Sequence, residues 1–218
     1  MNIEIWSDIC CPFCYIGKRH LEQALEEFEH ADEFEVKWHS FELDPAADID
    51  PDQDIYERLA HKYGQSVEWA KKANRDLKQK ASEAGIDFNP DRIIPTNSFD
   101  AHRLIKLAAT SGRADEAKEN LFSAYFSEGR HIGRHDTLIR IGTEIGLDRS
   151  IVKEMLEGDD FSDEVRADEQ EARELGIQGV PFFVFNRKYA VSGAQPVHTF
   201  TEALEKCYED QQSETVNK

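Results

Sequence analysis

The sequence predicts an α/β protein: a small strand-and-helix core interrupted once by a long, all-helical insertion. Strand signals occur only near the two ends of the chain, at residues 3–6 and 34–41 and again at 181–185 and 189–191. Between Asp52 and Gly176 the apolar residues recur instead at spacings of three and four, the period of helices with one buried face. A chain of 218 residues, 39% of them apolar, can bury one real core, and it is short enough for a single interrupted domain.

Each element follows from its local pattern. Ile3-Glu4-Ile5-Trp6 alternates and forms a first strand. Leu21, Ala24, Leu25 and Phe28 then give one buried stripe of a helix. Pro12 suits the first turn of that helix, where its missing N–H costs nothing, so Cys11 stands at or just before the helix start. Residues 34–41 alternate as a second strand. A strand-helix-strand opening implies two parallel strands joined by a right-handed crossover.

In the insertion, Asn97 and Asp100 resemble a capping pair for a helix whose stripe is Ala101, Leu104, Ile105 and Ala108, closed at Ser111-Gly112. Leu121, Phe122, Tyr125 and Phe126 mark another helix. Leu138, Ile141 and Ile145 mark a third, ended by Gly146. Asp148 caps a short helix carrying Ile151, Val152, Met155 and Leu156, and a last one runs over 162–175 to Gly176. The acidic run from Glu154 to Glu174 reads as the solvated face of these helices.

After Gly176 the pattern returns to strand. The continuous apolar run Pro181-Phe182-Phe183-Val184-Phe185 fits a strand covered on both faces. Asn186-Arg187-Lys188 is a turn, and Tyr189-Ala190-Val191 is the antiparallel return. Pro196 opens a final helix striped by Phe200, Ala203, Leu204 and Cys207. The core is therefore assigned to residues 1–50 and 177–210, the helical insertion to 51–176, and a flexible C-terminal tail to 211–218.

Charge narrows the function. The chain carries 44 acidic and 26 basic residues, a net charge of −18, which repels phosphate backbones and anionic lipid and disfavours nucleic-acid or membrane partners. No apolar run approaches the ~20 residues of a membrane span. Met1 to Trp6 lacks the basic-then-apolar pattern of a secretory signal, so a cytoplasmic location is expected. Three of the four cysteines, Cys10, Cys11 and Cys14, cluster within five positions, and Cys207 stands apart. Clustering of this kind in a reducing compartment indicates thiol chemistry or metal binding rather than a disulfide scaffold.

Cys11-Pro12-Phe13-Cys14 is the strongest signal. A C-x-x-C at a strand-to-helix junction sets the first sulfur near free helix N–H groups and the positive end of the helix dipole. Both favour thiolate and lower its pKa below the free value of about 8.5. The second cysteine lies one turn deeper, placed to attack a mixed disulfide on the first. The expectation is one exposed, reactive sulfur and one shielded, resolving sulfur. A structural zinc site would want four ligands; no second C-x-x-C supplies them, and His131 and His135, four apart, are the pair that a mixed site would have to recruit. No metal is therefore assigned. Cys10 reads as a packed residue at the strand end.

Gly179-Val180-Pro181 precedes the buried strand. Alone it reads as an ordinary trans proline, since only about 5–6% of X–Pro bonds in folded proteins are cis. Asp8, three residues before Cys11, fits a loop cap or a group that tunes thiol protonation. His102 and Arg103 flank the apolar stripe of their helix, which points to a surface or boundary role.

Together, the C-x-x-C after the first strand, the helical insertion and the Val-Pro entering the third strand resemble the thioredoxin-fold proteins of the DsbA family. Three segments are similar to the cytosolic FrnE-like branch: Asp8 with residues 11–17, Cys-Pro-Phe-Cys-Tyr-Ile-Gly; residues 95–103, Pro-Thr-Asn-Ser-Phe-Asp-Ala-His-Arg; and residues 192–195, Ser-Gly-Ala-Gln. The resemblance implies a thioredoxin-like core with a DsbA-like helical insertion, and thiol–disulfide exchange with Cys11 as nucleophile and Cys14 as resolving thiol. It implies a cis Val180–Pro181 bond facing the cysteines, with Pro12, Phe13, Val180 and Pro181 meeting the substrate and Asp8, Asn97, His102 and Gln195 in support. No resident cofactor is implied. The partner is a disulfide or dithiol in a protein or small thiol, with glutathione a candidate co-substrate, and the protein is a monomer or dimer.

Two features depart from relatives of this kind. Phe13 stands where periplasmic members often have histidine and cannot donate a hydrogen bond to a thiolate. Cys207 has no second C-terminal cysteine to pair with. Related kappa-class glutathione transferases and 2-hydroxychromene-2-carboxylate isomerases share the architecture but typically use serine at the Cys11 position. A glutathione-dependent isomerase or transferase is the alternative reading, and a non-enzymatic binding module the second.

Overall fold

The computed structural model describes residues 1–216. The chain opens with β1 (Asn2–Ser7), α1 (Pro12–Glu27) and β2 (Glu35–Ser40) and closes with β3 (Phe182–Phe185), β4 (Tyr189–Ser192) and α9 (Val197–Val216). Between them lie α2 (Ile55–Tyr63), α3 (Val67–Glu83), α4 (Phe99–Ala109), α5 (Ala114–Ser123), α6 (His135–Glu144), α7 (Arg149–Glu157) and α8 (Ser162–Glu174). The strands form one sheet in the order β2-β1-β3-β4, with β1 parallel to β2 and the other two pairs antiparallel. This is a thioredoxin-like fold with a helical insertion.

Alternation in β1 sends its side chains to two cores. Ile3 and Ile5 face the side of α1 and α9, among Phe183, Phe185, Phe200 and Leu204. Trp6 and Val184 face the other side, against Ala172 and Ile177 at the end of α8. Burial on both faces explains why β3 is an unbroken apolar run.

The insertion departs from expectation in four places. α2 and α3 lacked a distinct sequence signal because little of them is apolar and buried; α3 buries only Ala70, Asn74 and Ala81 over its 17 residues. Asn97 is not the cap of α4: Ser98 holds that position, Asn97 Oδ1 accepts from the Phe99 N–H at 2.8 Å, and Asp100 turns instead to Arg103 and His135. The helix over Leu121 to Phe126 changes character after Ser123, where residues Ala124–Glu128 form a π turn. Such turns are frequent at functional sites.

The acidic run is not uniformly solvated. Asp168 and Glu169 of α8 are buried, Asp168 against His39 (2.9 Å), the Ser40 N–H and Lys106. A buried carboxylate persists only when paired in this way. At the C-terminus, α9 continues past Gln211, where a flexible tail was expected, as far as Val216; residues 217–218 lie outside the described residues. Among the described residues no helix is long and apolar enough to cross a membrane.

Candidate active site

Cys11 is the last residue before α1, in an extended conformation (φ −101°, ψ 110°), with Pro12 starting the helix. The first turn closes through the Cys14 N–H onto the Cys11 carbonyl at 3.0 Å. The two sulfurs are thus one turn apart on one face, and none of the four cysteines is disulfide-bonded. The Cys11 thiol faces the Val180 carbonyl oxygen at 3.6 Å, and the Val180–Pro181 bond is cis. Segments about 170 residues apart in sequence therefore meet at the Cys11 sulfur.

Gly17 permits the approach. A Cβ there would stand 3.0 Å from Phe183 Cζ and 3.1 Å from Pro181 Cγ, so any larger residue would press these side chains back by a few tenths of an ångström.

Cys11 is not the exposed sulfur expected. It is 4% exposed and Cys14 1%, because the insertion and Val180 cover the helix start. What reaches solvent is the rim: Phe13 is 45% exposed, and Tyr63 and Trp69 stand over the same cleft. Beneath them is a cavity of about 270 Å³ whose walls include Cys10, Cys11, Leu59, Trp69, Leu77 and Tyr125. Its lining is mainly apolar, so it suits an apolar group next to a sulfur.

Electrostatics divide the cysteines. Burial, and then the neighbouring Cys11, push the Cys14 thiol well above the usual range. Burial and the Asp8 charge do the same to Cys10, whose thiol faces the Thr96 carbonyl at 3.8 Å. Cys10 is thus packed at the strand end, as its position suggested, yet it also forms part of the cavity wall.

Asp8 is a buried hub. Its carboxylate accepts from the Cys10 N–H (3.1 Å), the Ser98 hydroxyl (2.8 Å) and the Leu43 N–H (2.8 Å), and His102 Nε2 faces it at 3.4 Å. Burial works to raise its pKa, but the His102 ring, with the Leu43 and Ser98 donors, holds it below the usual carboxylate value. Burial also lowers His102, against the pull of Asp8. His102 and Arg103 are therefore interior residues, not surface or boundary ones. Arg103 ties Asp100 to the carbonyls of Met155, Gly158 and Asp160.

Asn97 and Gln195 lie off the apolar cavity. Asn97 bonds Glu42 (3.3 Å) and Phe99, and Gln195 folds onto the Ser192 carbonyl (2.9 Å) while its own carbonyl meets His20 (2.7 Å). His131 and His135 are engaged by Asp50 and Asp100 at 2.9 and 3.0 Å.

Lys118 is a further buried residue near the cysteines that the local sequence pattern does not single out. It is 1% exposed, and its Nζ donates to the Ser7 carbonyl at 3.4 Å. The available signal was a lysine sharing the apolar stripe of Leu121, Phe122 and Tyr125 at helical spacing.

Comparisons with known proteins agree with this geometry. Residues 2–205 match the family model described as a DSBA-like thioredoxin domain. The chain is 40% identical to a probable DsbA oxidoreductase, SCO1869 from Streptomyces coelicolor, with a TM-score of 0.92 over 96% of this chain and 90% of that one. The uncharacterised protein YwbO of Bacillus subtilis is 28% identical over 208 residues, 94% of this chain and 96% of its own. The cytosolic disulfide reductase DsbM from Pseudomonas aeruginosa shares the fold at 18% identity, with a TM-score of 0.66 over 96% of this chain and 99% of that one. The chain belongs to the DSBA-like thioredoxin domain family.

Proposed function

We propose that the protein is a thiol–disulfide oxidoreductase acting through Cys11 and Cys14. The observation that carries this reading is the Cys11 thiol at the start of α1, 3.6 Å from the Val180 carbonyl, with Cys14 one turn deeper. The Cys11 thiolate attacks a substrate disulfide, forming a mixed disulfide and releasing one substrate sulfur as thiolate. Cys14 then attacks Cys11, the second substrate sulfur leaves, and the substrate has gained the two electrons that the cysteine pair lost. Run backwards, the same steps oxidise a substrate dithiol.

The backbone of Val180 and Pro181 lines the substrate path, and Pro12, Phe13 and the apolar cavity receive the groups beside the reacting sulfur. Asp8 and His102 hold the loop that carries Cys10 and Cys11, and Asn97 and Gln195 brace neighbouring loops. This chemistry requires no metal or organic cofactor. The substrate is a protein or small-thiol disulfide, and a small thiol such as glutathione suits as the reductant that resets the pair, in a cytoplasmic setting.

A protein disulfide and, separately, glutathione with a small electrophile are the deciding substrates. The reading predicts turnover with the first that depends on both cysteines. Turnover only with the second, undiminished by Cys14→Ser, would favour the isomerase or transferase reading instead.

A further inference from the structure

Cys14 must lose a proton before it can attack Cys11, yet it is 1% exposed and water does not reach it freely. Two buried groups, Ser7 and Lys118, act on it directly. Ser7, at the end of β1, is 0% exposed; among the described residues its hydroxyl makes no well-formed hydrogen bond, and the group it lies against is the Cys14 thiol. Leaving a buried hydroxyl unpaired costs on the order of 1–3 kcal/mol, so an unpaired one asks for a role. Lys118, on α5, is the second.

Lys118 makes no ion pair among the described residues. Its Nζ has the Ser7 carbonyl at 3.4 Å and the rings of Trp38 and Phe122 at 5.1 and 5.3 Å. By contrast, buried Lys18 has three carboxylates. Such a site holds a neutral amine more easily than an ammonium.

We propose that Lys118 is the proton acceptor for Cys14, taking the thiol proton by way of the Ser7 hydroxyl as Cys14 attacks the mixed disulfide on Cys11. This rests on the reading of Cys14 as the resolving thiol. In the step the Cys14 S–H bond breaks and an Nζ–H bond forms on Lys118. The Cys14–Cys11 disulfide forms as the Cys11–substrate disulfide breaks, and the substrate leaves as thiolate. When a thiol reductant reopens the pair, Lys118 returns the proton to Cys14.

The surroundings agree in sign. Burial pulls Lys118 down to about 8, and of the charges around it Cys14 acts most strongly in the opposite direction. The other groups facing it are Asp8 and Cys11 from the β1–α1 connection and Lys106 and His102 from α4. Asp8 is already satisfied by Cys10, Ser98 and Leu43, and Lys106 is paired with Asp168. Of the basic groups here, His102 and Lys106 face carboxylates, and Lys118 is the one without an ion pair among the described residues.

The test isolates the second step. The reduced full chain is mixed with 5,5′-dithiobis(2-nitrobenzoate), which loads thionitrobenzoate onto Cys11; Cys14 then expels it, and stopped-flow absorbance follows the second release. Wild type should release it at a rate that rises with pH and levels off above about 8. Lys118→Met should slow release by about 100-fold at neutral pH, the low end of general acid–base contributions, and lose the levelling. Lys118→Arg should be equally slow, because a guanidinium keeps its charge but accepts no proton. Ser7→Ala, a smaller change to the interior, should also slow it.

Wild-type rates in Lys118→Met or in Ser7→Ala would overturn the proposal, as would full rescue by arginine. Absence of the second release in wild type would overturn the role of Cys14 itself, a distinguishable failure.

Discussion

Cys11 Sγ lies 3.6 Å from the carbonyl oxygen of Val180, so the start of α1 and the strand-entry loop face one another across the whole helical insertion. A carbonyl at that distance cannot be a permanent partner for a thiolate, which needs donors. On the proposed function it is an acceptor for the N–H of an arriving peptide whose sulfur meets Cys11. The α1–β3 contact that holds the two together is correspondingly tight.

Gly17 is the test of that contact. Gly17→Val places branched methyls against Phe183 and Pro181, which are 3.0 and 3.1 Å from the first added carbon. Phe183 cannot retreat easily, being fully buried and packed edge-on to Phe200 at 4.8 Å. Overpacking of this kind costs about 1–3 kcal/mol, so the urea midpoint should fall. An unchanged midpoint would mean the interface has slack.

Arg103 is predicted to be structural. Its guanidinium satisfies the carbonyls of Met155 and Gly158 at the end of α7 and of Asp160 beyond it, which otherwise have no helical partner. Arg103→Leu should destabilise the fold by on the order of 3 kcal/mol. Arg103→Lys should recover little, because an ammonium cannot reproduce the planar fork. Thermal unfolding of the three proteins checks both statements.

Glu42 gives a pH signature. Burial, aided by the Glu169 carboxylate and opposed by Arg166, pushes its carboxyl up to about 7 from the ordinary 4.5. A carboxyl raised in the folded state binds its proton more tightly there than when unfolded. Its stabilising contribution is therefore complete below pH 4.5 and is lost as pH rises through 7. Relative to wild type, Glu42→Gln should gain unfolding temperature between pH 5 and pH 8. A difference that stays constant over that window would contradict the assignment.

Much of this arrangement is legible from local pattern. The C-x-x-C with proline at the helix start, the alternating strands and the unbroken β3 run each follow from a few neighbouring residues, and together they outline the interrupted α/β core. The buried charges are not legible in that way. Asp168 is interior because His39 and Lys106 arrive from β2 and α4. Arg103 is interior because the end of α7 needs donors. Such partners are distant in sequence, and a local window sees only an acidic or basic residue beside an apolar stripe. The same blindness made Cys11 look exposed, since its cover comes from the insertion and from Val180. Lys118 was visible only as a charge on an apolar face.

Attack by Cys11 and resolution by Cys14 leave different traces when either sulfur is removed. This division of roles is tested most directly by incubating Cys14→Ser and Cys11→Ser with an oxidised protein substrate and resolving the products by non-reducing gel and mass spectrometry. Cys14→Ser should accumulate a covalent adduct through Cys11 because release is lost, while Cys11→Ser should form little adduct. Equal trapping by both variants, or by neither, would contradict that division of roles.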